Sequence, residues 1–100
     1  MAKKVLTTEQ RLRMLETPKG PVDLVIDTDA YNEIDDQFAI AYALCAPERV
    51  RLLALCAAPF TNARSTGPAD GMEKSYQEIL HLLSLPGDKV PASRGSTTYL

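Results

Sequence analysis

Two short apolar runs separated by one helical pattern constrain the fold of this chain more than any other feature. The first run, residues 22–27, is β-branched or leucine apart from its two aspartates, and the second is residues 50–57. Such runs are typical of strands that are covered on both faces of a sheet. Between them, apolar side chains recur at three- and four-residue steps, as on one face of a helix: Ile34, Phe38, Ala41, Tyr42 and Cys45. The pattern predicts a strand–helix–strand unit with parallel strands.

The flanking segments extend this alternation. Asp70, with Glu73 as its reciprocal partner, is placed to cap a second helix, whose apolar face we expect to include Tyr76. Residues 89–92 predict the start of a third strand. Near the start, Thr7 and Gln10 have capping-box spacing for a short helix. We therefore predict an α/β fold with an open, mainly parallel sheet in β-α-β-α-β order. Residues 1–21 form a helix and linker, and residues 22–100 form the amino-terminal part of the α/β domain.

Composition excludes several classes of protein. The hydrophobic fraction of 45% and charged fraction of 24% are ordinary for a globular protein. There is no apolar run of the ~20 residues needed to span a bilayer, and no signal-peptide pattern. The chain has no basic stripe with interleaved aromatic residues, the pattern that would predict nucleic-acid binding. We expect a cytoplasmic protein without a membrane or nucleic-acid partner. A disulfide between Cys45 and Cys56 is possible, but their apolar surroundings favour buried free thiols.

The charge distribution is more informative than the net charge of −2. Between Lys19 and Arg49 there are seven acidic residues and no basic one. Four of the seven flank one predicted strand-to-helix junction: Asp27, Asp29, Asp35 and Asp36. Two like charges about 4 Å apart repel by roughly 1 kcal/mol in water and by more at lower dielectric. Carboxylates that converge at one junction therefore need compensation.

Two interpretations supply that compensation. In the first, Asn32 caps the helix and Asp35 is the capping-box acceptor at its third position, where the helix dipole favours an anion. In the second, a hard cation neutralises the carboxylates; Ca²⁺ and Mg²⁺ prefer oxygen ligands, and there is no Cys/His cluster for zinc. The first interpretation does not account for Asp27, Asp29 or Asp36, so we favour a metal site.

The loops after the first two strands, residues 27–32 and 58–62, lie at the carboxyl edge of the predicted sheet, where ligands bind in open sheets of this kind. An EF-hand loop starting at Asp27 fails, because Tyr31 and Asn32 stand where an oxygen ligand and glycine belong. Aspartate-nucleophile phosphatases share the strand–D-x-D pattern but continue with Thr or Val where this chain has Tyr31. A phosphatase-like hydrolase is thus the alternative enzyme class.

Residues 25–29, V-I-D-T-D, and residues 34–40, I-D-D-Q-F-A-I, resemble the amino-terminal signature of the inosine-uridine-type, calcium-dependent nucleoside N-ribohydrolases. That signature reads strand–D-T-D-P-G-I-D-D–helix. Residues 58–62, A-P-F-T-N, occupy the place of the family's V-A-G-N segment, and residues 90–95 resemble its third strand. The resemblance covers residues 22–100. One departure is a loop between Asp29 and Asp35 that is two residues longer than P-G-I, which leaves the substrate preference open.

The resemblance implies specific roles. Asp29 would be a calcium ligand and the general base, and Asp36 a second calcium ligand. Asp35 would bind the ribose hydroxyls and Asn62 the sugar. Asp27 and Asn32 would orient the other side chains of the site by contacting them. The implied reaction is hydrolysis of the N-glycosidic bond of a ribonucleoside by a calcium-bound water.

The resemblance also implies a nucleoside hydrolase-like, Rossmann-like sheet that is incomplete in 100 residues, and a homo-oligomer. The family's remaining calcium ligands and its leaving-group acid come from later in the chain. We therefore expect residues 1–100 alone to be inactive. A non-catalytic remnant or binding module that keeps the fold is the alternative from a different functional class.

Overall fold

Three helices and three strands alternate along residues 3–100, the part of the chain that this computed structural model describes. Their bounds are α1 Thr8–Met14, β1 Val22–Thr28, α2 Ile34–Leu44, β2 Val50–Ala57, α3 Pro68–Ser84 and β3 Ala92–Arg94. The strands form one parallel sheet in the order β1-β2-β3. The predicted α/β class, the open parallel sheet and the β-α-β-α-β order are confirmed for this part of the chain.

One face of the sheet carries the core. Leu55 and Ala57 of β2 are fully buried and pack in one cluster with Ile40 of α2 and with Ile79 and other apolar residues of α3. Because Leu55 and Ala57 point to the same face of β2, both helices cover that face. On the other face, the Val25 side chain is 55% exposed. The expectation of strands covered on both faces therefore holds for only one face within these residues.

Helix α2 forms where predicted, but it turns a different side to the core. Phe38 and Tyr42, on the expected apolar face, are 68% and 78% exposed, whereas Ile40 and Ala43 are buried. Cys45 lies on the same exposed side, so the prediction of a buried thiol there is wrong, although both cysteines are free as expected. The cause is that α2 is apolar on most sides, and spacing alone does not identify the side that packs on the sheet.

The predicted helix cap is confirmed for α1 and is wrong for α3. Thr7 and Gln10 form the predicted reciprocal capping box of α1. Helix α3, in contrast, begins at Pro68, two residues before the predicted cap Asp70. Proline suits the first helical position because it lacks the N–H that would be unpaired there. Asp70 instead accepts the backbone N–H of Thr66 at 3.0 Å, so the Asp70–Glu73 pairing is wrong.

The third strand is tied to α3 by side chains. It runs over Ala92–Arg94, so it begins at the last residue of the segment 89–92 that was predicted to start it and lies within residues 90–95. Glu73 accepts hydrogen bonds from Arg94 Nε and Nη2 at 2.7 and 3.0 Å, and the Arg94 guanidinium lies 4.1 Å from the centre of the Tyr76 ring. This half-buried Tyr76 packs against the core, as predicted.

The Glu73–Arg94 contact predicts a pH-dependent contribution to stability. The Arg94 hydrogen bond, followed by one from Gln77, lowers the pKa of Glu73 from 4.5 to about 2. An acid with a depressed folded-state pKa stabilises the fold above its unfolded pKa and loses that contribution as pH falls. The melting temperature of the wild type should therefore exceed that of Glu73→Gln at neutral pH, with the difference shrinking between about pH 4.5 and 2. A difference that persists unchanged at pH 2 would contradict this account.

Within residues 3–100, none of the helices combines the length and apolar character needed to cross a membrane.

Candidate functional site at the carboxyl edge of the sheet

The loops that follow β1 and β2 meet at the carboxyl edge of the sheet, as the sequence predicts. The two strands pair in register up to Thr28 and Ala57. The Ala58 N–H then donates to the Thr28 carbonyl at 2.8 Å, which extends the pairing into the loops. Residues 29–33 and 58–67 therefore leave the sheet side by side. Elements that are 30 residues apart in sequence thus present polar groups to one region.

Asp29 is held in a chain of polar contacts that crosses between these loops. Its Oδ2 accepts the Asn32 side-chain amide at 2.9 Å, and its carbonyl accepts the Asn32 backbone N–H at 2.7 Å. Asn32 Oδ1 in turn accepts a hydrogen bond from Asn62 Nδ2. The Asn62 Oδ1 accepts the Arg64 backbone N–H at 2.7 Å. Three residues predicted for the site are therefore brought together.

Asn32 does not cap α2, which corrects the first interpretation of the acidic cluster. The residue preceding the helix is Glu33, and no side chain caps it. Asp35 is therefore the second helical residue rather than the third, and it is not a capping-box acceptor. Both Asp35 and Asp36 lie in the first turn, where unpaired backbone N–H groups and the helix dipole favour negative charge.

Asp36 is anchored to the end of β1 by a residue that the sequence reasoning did not select. The hydroxyl of Thr28 donates to Asp36 Oδ2, and Thr28 is only 3% exposed. A hydroxyl this buried requires a hydrogen-bond partner, and Asp36 provides it. The signal was present in the sequence, because alternation along β1 places Thr28 on the covered face between two exposed or half-exposed aspartates. Asp36 is thereby held beside Thr28, the residue that precedes Asp29.

The other two predicted aspartates are not joined to this network. Asp27 is exposed and lies on the face of β1 opposite to Thr28. Asp35 is also exposed. In the range 3–100, neither side chain forms a hydrogen bond to another residue of the site, so the predicted orienting contacts of Asp27 are not seen. Asp35 lies exposed in the first turn of α2.

Arg64 and Ser65 connect the second loop to its surroundings. Ser65 Oγ donates to the Phe60 carbonyl at 2.8 Å and accepts the Asn62 N–H at 3.2 Å, so it caps the loop. Arg64 Nη1 donates to the Asn32 carbonyl at 3.0 Å. An open cavity of about 520 Å³ adjoins this contact and is lined by Asn32, Glu33, Ile34, Gln37 and Arg64. It lies beside the aspartates and is not lined by them.

The carboxylate oxygens of Asp29 and Asp36 are ligands of the type that a hard cation prefers, but they are too few to complete its coordination. Asp29 and Asp36 each use one carboxylate oxygen in a hydrogen bond, so each has a second oxygen for a ligand. Calcium takes six to eight oxygen ligands. Among residues 3–100, no three Asp, Glu, His or Cys side chains converge closely enough to hold a metal ion. The residues that would hold calcium here are Asp29 and Asp36, with the other ligands coming from elsewhere.

No family model, curated protein or solved structure matches this chain. The functional assignment therefore rests on the residues themselves and their arrangement.

Proposed function

We propose that this chain provides the amino-terminal part of the active site of a calcium-dependent nucleoside N-ribohydrolase. The observation that carries the proposal is the position of Asp29, Asp36 and Asn62 at one sheet edge: Asn32 links Asp29 to Asn62, and Thr28, which precedes Asp29, holds Asp36. In this proposal the three strands belong to a larger, Rossmann-like sheet of a cytoplasmic homo-oligomer. The activity belongs to the full natural protein, since a leaving-group acid is not assigned within these residues.

The proposed chemistry gives each side chain a defined task. Bound calcium would lower the pKa of a water molecule and fix its position. Asp29 would accept a proton from the attacking water as the water oxygen bonds to the anomeric carbon and the bond from that carbon to the base nitrogen breaks. The sugar develops oxocarbenium character in the transition state. Asp35 and Asn62 hold the ribose hydroxyls in this geometry, and the base departs with a proton from an acid elsewhere in the protein.

The fixed position of Asp29 supports its role in this proposal. A general base must lie within hydrogen-bond reach of the proton that it takes, and its orientation must be maintained. The hydrogen bond from Asn32 is made to Oδ2, which leaves Oδ1 available for a ligand. Thr28 does the same for Asp36 by occupying Oδ2. Each proposed calcium ligand is thus oriented by one neighbour and retains one available oxygen.

A calcium titration of the full natural protein tests the metal part of the proposal. Asp36→Asn should weaken calcium binding at least about tenfold, because it removes a charged ligand while keeping the shape of the side chain and an acceptor for Thr28. Asp88→Asn is the matched control, since Asp88 is an exposed aspartate in the segment after α3. Equal calcium affinity in the two variants would overturn the role of Asp36.

The reaction itself is tested by incubating the protein with nucleosides and, separately, with phosphate monoesters. Release of free ribose and base supports the proposal. Release of inorganic phosphate without ribose would favour the aspartate-nucleophile alternative. Calcium binding without turnover of either substrate would favour the non-catalytic binding protein.

A further inference from the structure

The two loops at the candidate site are tied together through Arg64. Its backbone N–H donates to Asn62 Oδ1, and its guanidinium donates to the Asn32 carbonyl. Its own carbonyl accepts Lys74 Nζ of α3 at 2.6 Å. Lys74 is fixed in turn by Asp70, one helical turn away, at 3.0 Å. A continuous set of contacts therefore runs from α3 through Arg64 to both loops.

Asn32 transmits this anchoring to Asp29. It is half-buried, and its side-chain amide donates to Asp29 Oδ2 while its backbone N–H donates to the Asp29 carbonyl. Its carbonyl is the group that Arg64 binds. The side-chain amide, the backbone N–H and the carbonyl that make these contacts all belong to Asn32. Movement of the Asn32 backbone would therefore move the amide that orients Asp29. Asn32 lies in the loop that is two residues longer than the P-G-I pattern.

We propose that Arg64 is a positioning residue that acts through Asn32 to fix the orientation of the Asp29 carboxylate. Arg64 itself does not touch Asp29. The guanidinium of Arg64 also places a positive charge beside a loop and helix start that carry no basic residue of their own. A guanidinium suits this position since its planar donors keep a fixed geometry once bound. The kinetic part of this inference rests on the proposed function, whereas the structural part does not.

The structural part is tested by amide hydrogen exchange in the full natural protein without calcium or substrate. Arg64→Ala should accelerate exchange of the Asn32 backbone amide severalfold. Arg64→Lys should restore part of the protection, because a lysine ammonium can also donate to the Asn32 carbonyl. Arg51→Ala is the control, since Arg51 is an exposed arginine that pairs with Asp23 at the other end of the sheet. Exchange at Asn32 that is the same in Arg64→Ala and Arg51→Ala would overturn the proposal.

The kinetic part is tested by a double-mutant cycle on ribose release. Arg64→Ala should lower kcat about tenfold with little change in KM, because a misplaced base slows chemistry more than it weakens binding. In an Asn32→Ala background, Arg64→Ala should have no further effect on kcat. Equal losses of kcat in both backgrounds would show that Arg64 does not act through Asn32. If the wild type releases no ribose, the proposed function fails, and the exchange experiment alone decides whether Arg64 holds the Asn32 backbone against Asp29.

Discussion

Replacing Asp29 with asparagine in the full natural protein should reduce ribose release by roughly 10²–10⁴-fold, the usual contribution of a general base. The asparagine side chain has nearly the same shape and keeps an oxygen that accepts the Asn32 amide, a contact of 2.9 Å in the wild type. It has no basic oxygen to take a proton from water. Loss of activity in saturating calcium, without loss of the fold, would therefore identify the proton acceptor. Asp29→Ala should abolish turnover as well, because it removes the calcium ligand along with the base.

Two controls separate this prediction from a general loss of stability. The melting temperature of Asp29→Asn in the absence of calcium should be close to that of the wild type, since the hydrogen bond is kept. Asp88→Asn, at an exposed site remote in sequence from both loops, should leave ribose release unchanged. Near-normal turnover by Asp29→Asn would contradict the assignment of the base, whatever its effect on calcium binding.

Replacing Gly71 with alanine should destabilise the fold, although alanine is normally favoured over glycine inside a helix by about 1 kcal/mol. Gly71 is a buried residue in the first turns of α3. A Cβ atom there would lie 2.0 Å from the Phe60 carbonyl oxygen and 2.9 Å from its carbonyl carbon. A backbone carbonyl cannot move aside as a flexible side chain can. We expect a net loss of about 1–3 kcal/mol in the free energy of unfolding, as for overpacked sites.

Chemical denaturation measures this effect, and the helix offers a matched control. No atom lies within 4 Å of the Cβ position at Gly67, whose backbone is extended, so Gly67→Ala should change stability little. Gly71→Ala should also weaken substrate binding, since Phe60 is two residues from Asn62 and the clash moves their shared loop. A Gly71→Ala variant as stable as Gly67→Ala would show that α3 and this loop do not approach as closely as described.

The strands were predictable because their signals are local. The run of residues 50–57 is apolar with a single charged residue, and β2 has those bounds. The first strand ends one residue later than predicted, at Thr28, because its last residue pairs with Ala57. The third strand is only three residues long, and its position is set by pairing with Leu55–Ala57 rather than by its own composition. Local propensity is weak at such an edge.

The site was predictable in location but not in its contacts. Parallel strands bring the two loops to one edge whatever the loops contain, so the region around Asp29 and Asn62 followed from the order of elements. The partners of Asn32 did not follow, because it contacts Asn62 across 30 residues instead of capping the adjacent helix. Prediction of a helix cap uses only residues that are close in sequence, so it does not take such a tertiary contact into account. The Thr28–Asp36 pair was missed because alternation along β1 indicates the covered face for Thr28 but does not identify the partner of its hydroxyl.

The most direct test of the central claim is ribose release from a nucleoside by the full natural protein, measured as calcium is removed and then restored. Our account predicts that a chelator abolishes ribose release, that added calcium restores it, and that Asp29→Asn stays roughly 10²–10⁴-fold below the wild type at every calcium concentration. Ribose release that is unaffected by chelation, or none from any nucleoside in saturating calcium, would contradict the assignment of this sheet edge as a calcium-dependent nucleoside hydrolase site.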